Sequence, residues 1–373
     1  MGCSVICWGW RQASRALFLA SLVVNLAGCQ KRQFTSRSHQ SLAIEQGGTL
    51  TMEVERCSVN IMPGLRKECR VDMEKFIRAS DGAEAQKGFE EDKIMISTNH
   101  NGVEIGMAGK QVSTPFHSHT QPTYRLNITL PIECAVNLVV AGGGVQISEL
   151  HGTAKIHALG GGIQLGRMNG RLNAEVDGGG ISVKWCGAES ELVSTGGGIK
   201  VEEAKMGLSA KTSGGSVTVT KAGGSIKIET TGGKIKVEEM NEPGELNTSG
   251  GSIHVGNSKA EFTAKTIGGS IEVDRATQGI RAQSSGGSIK ATFITTPKGS
   301  SSFQTTGGSV NLYFGEAASG HVSADSTGGT ITASFPVTEI SKTKTSLVAD
   351  LNGGGPEIVV KAFGGSVFLR KQP

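Results

Sequence analysis

From about residue 140 onward the chain alternates apolar and polar positions in short bursts, and glycines close each burst. Glycine doublets or triplets begin at Gly142, Gly160, Gly178, Gly196, Gly214, Gly232, Gly250, Gly268 and Gly286, giving eight successive intervals of 18 residues. Gly307 and Gly328 follow at intervals of 21, and irregular copies close the series at Gly353 and Gly364. With the first glycine of each copy as position zero, position +3 reads Val145, Ile163, Ile181, Ile199, Val217, Ile235, Ile253, Ile271, Ile289, Val310 and Ile331. Position +5 is also aliphatic (Val201, Val219, Val237, Val255), and polar residues such as Lys200, Thr218 and Lys236 stand between. A period of two over β-branched residues predicts a half-buried strand.

A second strand lies half a copy later, where +12 and +14 hold pairs such as Leu208 and Ala210, Ile226 and Ile228, Phe262 and Ala264. Position +8, with Cys186, Ala204, Ala222 and Met240, supplies one more inward plug. About five inward side chains cannot exclude water alone, so copies must stack and share an apolar column. The predicted fold is all-β: a two-sheet β-solenoid of about eleven 18-residue coils with an irregular N-terminal β cap. The glycines are expected where the chain turns a corner and φ > 0 is often needed. Hydroxyl residues at −2 (Ser194, Thr212, Thr230, Thr248, Thr266, Ser284, Thr305, Ser326) are expected to bond one another or neighbouring backbone at that corner. The alternative, an ice-binding array, needs a flat outward threonine face, and the outward positions +4 and +6 vary freely.

Upstream, residues 41–141 are strand-like but irregular, as in Leu50-Thr-Met-Glu-Val and Tyr124-Arg-Leu-Asn-Ile-Thr-Leu-Pro131. This region is expected to form looped coils that cap one end, with the charged stretch Glu68 to Gly88 as a loop or short helix. Residues 29–40 are polar and aperiodic and read as a tether, and 142–373 as the regular solenoid. The terminal residues, ending in charge and proline, are expected to blunt the other end.

Composition agrees. Glycine reaches 55 of 373 residues, about twice the usual share, while the nine prolines and the fixed period argue against a disordered linker. Net charge is +4, spread over 37 basic and 33 acidic residues without a block of five like charges, so there is no nucleic-acid footprint.

The N-terminus carries an address. Arg11 and Arg15 precede a mainly apolar stretch from Ala16 to Ala27, too short to span a bilayer and of signal-peptide length. It ends in Leu26-Ala27-Gly28-Cys29, which looks like a bacterial lipobox. Residues 1–28 would then be a lipoprotein signal peptide and Cys29 the lipidated first residue, anchoring the chain to an envelope membrane, the outer one in a Gram-negative cell. Myristoylation at Gly2 fails because residue six is Ile. An envelope compartment permits disulfides. Cys57 and Cys69 flank the turn signal Pro63-Gly64, so a local bridge and two separate buried thiols are both open readings. No CxxC spacing suggests zinc.

Chemistry is sparse. Asp177, Asp274 and Asp325 fall in different phases, and no repeated acid pair appears for glycoside hydrolysis. Aspartate-bearing calcium turns are missing, and no Gly-Lys-Ser/Thr closes a phosphate loop. His117-Ser-His119 is the best metal-like fragment, since alternating histidines share one strand face; a solvated loop is the competing reading. Trp185, at an outward edge, either anchors a partner or is neutral surface. No catalytic residue and no cofactor is expected.

Ile128-Thr-Leu-Pro131, the run Asn137-Leu-Val-Val-Ala-Gly-Gly-Gly-Val-Gln-Ile147, and the Thr/Ser-Gly-Gly-Ser-Ile/Val units such as Ser285-Gly-Gly-Ser-Ile289 carry a resemblance. Over roughly residues 45–370 the chain resembles the putative-adhesin family of bacterial envelope β-solenoids. That resemblance implies a solenoid serving adhesion, scaffolding or extracytoplasmic sensing, with no catalytic residues to carry over. The expected function is a lipid-anchored, non-catalytic binding surface for an unknown protein or glycan. The alternatives are a purely structural envelope element and, third, a carbohydrate-active β-helix enzyme.

Overall fold

The computed structural model describes residues 18–19, 31–91, 93–107, 121–334 and 337–372. Among these are 34 strands and one helix, and the chain divides into two compact units, 1–164 and 165–373. Each unit is built from two sheets of mostly parallel rungs, so the chain is an all-β solenoid. No helix among the described residues is long and apolar enough to cross a membrane.

In the C-terminal unit one rung has a six-residue strand and a five-residue strand, such as Ile199–Ala204 and Leu208–Thr212. The inward residues form vertical files. In the first sheet Ile199 pairs with Val217, Val217 with Ile235, Ile235 with Ile253, Ile253 with Ile271 and Ile271 with Ile289. In the second sheet Leu208, Ile226, Gly244, Phe262 and Ile280 follow one another. These positions and the +8 plugs are buried in rung after rung, apart from the half-buried Gly244. Each buried Val, Ile or Leu contributes about 1.5–3 kcal/mol, so rungs stabilise one another by sharing these columns. Where the interval grows to 21 residues, the first-sheet strand lengthens to Ile289–Lys298, and Phe293, Phe303 and Phe314 fill the wider interior. Phe293 meets Phe303 edge-on at 6.1 Å and stacks on Phe314 at 5.9 Å between centroids.

The corner corrects one expectation. Among the doublet and triplet glycines of the series, positive φ is confined to Gly142 and the irregular Gly353–Gly355. The second residue of each regular doublet is glycine because backbone meets backbone. A Cβ on Gly251 would stand 2.0 Å from the carbonyl oxygen of Gly233 one rung below. The −2 hydroxyls bond backbone, not one another. Thr230 Oγ1 donates to the Gly215 carbonyl of the rung below (2.9 Å) and accepts from the Gly233 amide (3.2 Å).

Rung order is not chain order at the C-terminal end. From Val310–Phe314 the chain makes the rung Gly320–Ser326 and Ile331–Ser334, then a hairpin, Val337–Lys342 with Ser346–Leu351. It returns as Glu357–Ala362, which pairs with both Ser301–Thr305 and Gly320–Ser326. Val367–Lys371 likewise pairs with both Val310–Phe314 and Ile331–Ser334. The last rung is thus inserted beneath the one before it, and the hairpin, not the charged terminus, covers the second-sheet edge.

The N-terminal unit uses the same device. Thr49–Glu55 lies between Gly102–Met107 and Ala135–Ala141, and Cys57–Gly64 lies between Thr123–Pro131 and Val145–Leu150, all parallel. Glu68–Ala79 then runs antiparallel along Thr123–Pro131. Its free side is taken by Arg32–Ala43, a 12-residue strand where a tether was expected. Pairing satisfies that polar segment's backbone, and Phe34 is its buried anchor, packed with Ile77, Ala79 and Ala85. Ala85 belongs to the helix Gly82–Glu91, whose N-terminus is capped by Asp81 accepting from the Glu84 amide at 2.9 Å.

Candidate binding cleft

The second sheet of the C-terminal unit carries a cleft of about 520 Å³. Its shape follows from strand alternation at the strand ends. Position −2 turns inward as the buried hydroxyl ladder and forms the floor, while −3 and −1 face outward and form two walls. One wall is Lys211, Glu229, Asn247, Lys265, Gln283 and Gln304; the other is Ser213, Thr231, Ser249, Ile267, Ser285 and Thr306. Parallel register stacks each row at about 4.8 Å per rung, so six rungs give a trough of roughly 24 Å at right angles to the strands.

The lining residues are polar apart from Ile267, their methyl and methylene groups share the surface with the polar atoms, and the trough is close to neutral. Lys211 Nζ lies 3.9 Å from Glu229 Oε2, which leaves Lys265, in register between Asn247 and Gln283, as the remaining charged side chain of its wall. Asn247 Nδ2 donates to Glu245 Oε1 at 2.8 Å, which fixes the orientation of the carboxamide. Its Oδ1 is buried without a hydrogen-bond partner, alone in this respect among the side-chain oxygens and nitrogens of the described residues. Ile267 stands 62% exposed in a wall otherwise made of hydroxyl residues. Glu229 is the one carboxylate in the lining, whereas glycosidic chemistry needs two.

The residues singled out from the sequence lie elsewhere. Cys29, His117 and His119 lie outside the described residues. Cys57 and Cys69 are both buried and free. Cys57 is in register with Tyr124, while Arg70, next to Cys69, is in register with Thr129 of the same strand. That separation is about 17 Å along the strand, far beyond the ~7 Å reach of a disulfide, so the local bridge is not made. The Pro63-Gly64 signal does mark a strand end, but the strands that follow one another there, Cys57–Gly64 and Glu68–Ala79, lie on opposite sides of Thr123–Pro131 and do not pair with each other. Burial, and then nearby Cys134, push the Cys69 thiol up to about 12, and burial does the same to Cys57.

Trp185 is engaged by its own unit: the Arg167 guanidinium lies 4.6 Å from its ring centroid. On the first sheet, His254 Nε2 lies 3.4 Å from Asp274 and its Nδ1 3.7 Å from Glu272. Glu272 already accepts from Lys290 at 2.8 Å, which holds its carboxyl below the usual range, so this cluster reads as a charge network across three rungs.

No family model matches the chain, and no curated protein matches it. Solved structures do. A protein from Clostridium sporogenes described as a putative cell adhesion protein is 8% identical, with 90% of this chain and 100% of that one covered and a TM-score of 0.17. A putative adhesin from Bacteroides fragilis is 10% identical, covering 90% and 97%, with a TM-score of 0.22. A protein from Parabacteroides distasonis described as a putative lipid binding protein is 11% identical, covering 89% and 96%, with a TM-score of 0.28. At these scores none of the three superposes on the chain as a whole, and what their names say of binding stays with those proteins.

Proposed function

We propose that the mature chain is a lipid-anchored, non-catalytic binding module of the bacterial envelope, held to a membrane through Cys29 and presenting its second sheet to a partner. The observation that carries this reading is the cleft: a polar trough with one carboxylate, on rungs whose interiors are fully occupied by core. A rigid scaffold with variable outward rows suits recognition, and a site with a single acid lacks the carboxylate pair of glycoside hydrolysis.

Two experiments test it. Metabolic labelling with a fatty-acid probe, with the Cys29→Ala variant as control, reads the anchor; labelling that survives the substitution rejects it. Capture from envelope extracts compares the wild-type chain with Ser249→Trp, which fills the trough from an exposed position. Partners lost with Ser249→Trp support a binding module. Capture unchanged by it, together with loss of envelope integrity on deletion, supports a spacer element instead.

A further inference from the structure

We infer that the trough on the second sheet takes an extended, uncharged polysaccharide, lying along the stack with about one sugar ring per rung. This rests on the reading of that sheet as a binding surface, and it names the ligand.

Direction is the first argument. The two walls run across the strands, and each interior rung is hydrogen-bonded on both sides. A peptide adding itself as a strand needs free backbone groups at a sheet edge, and the trough offers only side chains. Its ligand must therefore be a chain that repeats along the stack, at a pitch close to one rung. Linear sugars have that form, because a pyranose ring and one rung are of similar length.

Chemistry is the second argument. A polyanion would need a row of cations, and nucleic acids bind largely through phosphate neutralisation by lysine and arginine. Here two lysines and one glutamate line six rungs, and one lysine lies near the glutamate. An amphipathic helix would need an apolar groove. What the walls offer is a mixture of hydroxyls and carboxamides, which both donate and accept, as sugar hydroxyls do.

Two particular groups point the same way. Exposed Ile267 gives the C–H face of a ring an apolar contact within a hydroxyl wall. The row continues past Thr306 to Phe363, whose amide bonds Thr305, and its ring is 48% exposed at the far end as a platform for one more residue.

The test titrates cellohexaose and chitohexaose, and the corresponding trisaccharides, into the full mature chain by calorimetry. The expected result is binding of at least one hexaose with a Kd of about 10 µM to 1 mM, several-fold tighter than its trisaccharide. Ser249→Trp should weaken it at least ten-fold and Asn247→Leu several-fold. Lys200→Trp, on the outward face of the first sheet, should leave it unchanged and shows that a new surface tryptophan is tolerated. No binding of either hexaose at about 10 mM, binding indifferent to Ser249→Trp, or displacement by polyglutamate would overturn the inference. If envelope capture yields a protein partner that Ser249→Trp loses while neither hexaose binds, the binding surface stands and the sugar assignment falls.

Discussion

Adjacent glycines of one doublet should respond oppositely to the same methyl group. A Cβ on Gly250 would meet nothing closer than 3.4 Å, which is ordinary contact. A Cβ on Gly251 would lie 2.0 Å from Gly233 O and 2.4 Å from its carbonyl carbon, both backbone atoms that cannot rotate away. Relieving that overlap requires the two rungs to part by about 1 Å, which misaligns atoms packed at interior density. The bonds across this corner include Thr248 Oγ1 to Gly233 O at 2.9 Å, Gly250 N to Thr231 O at 2.8 Å and Ser249 N to Thr230 O at 3.3 Å. At about 1 kcal/mol net for each bond lost, and more for any buried group left unpaired, Gly251→Ala should cost about 3 kcal/mol or more. Gly250→Ala should stay within about 1 kcal/mol, and its reduced unfolded-state entropy offsets part of that. Urea denaturation followed by far-ultraviolet circular dichroism reads the difference as a midpoint shift of roughly 1 M or more at typical slopes. If the two variants unfold within about 0.5 kcal/mol of each other, backbone approach is not why the second glycine is there.

Thr230→Val keeps the shape of the corner side chain but strands the Gly215 carbonyl and the Gly233 amide. It should cost about 2–3 kcal/mol, and Thr230→Ser under about 1, measured by the same urea series. Phe293→Ala opens the ring cluster with Phe303 and Phe314 and should cost about 3–5 kcal/mol by thermal or urea unfolding. Cys57 and Cys69 titrate near 12 in the folded chain against an ordinary 9.0. Below pH 9 both states keep the proton and the native advantage is whole; between 9 and 12 the unfolded thiols ionise first and that advantage drains away. The wild type should therefore lose more stability between about pH 8 and pH 10.5 than a Cys57→Ala/Cys69→Ala variant does, and equal losses would remove burial as the cause.

The phase of each rung could be read directly from residue order. A β-branched residue at +3 and +5 and an apolar pair at +12 and +14 have no other place to go than inward, and Ile199, Val201, Leu208 and Ala210 are all buried. The −2 hydroxyls were legible as a ladder for the same reason. Their partners were not, because stacked hydroxyls can satisfy one another or backbone equally well on paper. Close approach of Gly251 to Gly233 is a relation between rungs, invisible to any local signal, so the glycine doublets suggested positive φ instead. Residues 29–40 read as a tether because Phe34 is the one large apolar residue among them, and the pairing that holds the strand Arg32–Ala43 comes from Glu68–Ala79 more than 20 residues away. The cleft is not legible in the +4 and +6 rows, which belong to the first sheet and vary freely. Its signal was available in the −3 and −1 rows, where amides and hydroxyls recur with little net charge.

Rung order at the ends could not be read at all, and the reason bears on function. Every regular rung presents the same two strands, so periodicity says how a rung is built but not which rung lies beside it. A stack laid down strictly in chain order would leave its first and last rungs with open edges, inviting strand addition from other chains. Insertion of Glu357–Lys371 beneath the rung before it leaves Ile331–Ser334, four residues long, as the first-sheet edge, and the second-sheet edge is closed by an antiparallel hairpin whose outer strand carries Glu339 and Lys342. At the N-terminal unit, Glu68–Ala79 and Arg32–Ala43 reverse direction and end the parallel register, with Arg37, Glu74 and Asp72 on the outside. Among the described residues, the stack thus ends on antiparallel strands or on a four-residue strand, not on a full-length parallel rung. On the proposed binding role, recognition falls to the outward side-chain rows, where substitution leaves the core columns intact. Among those rows, the pair flanking the hydroxyl ladder combines a concave surface and an exposed aliphatic contact on six consecutive rungs.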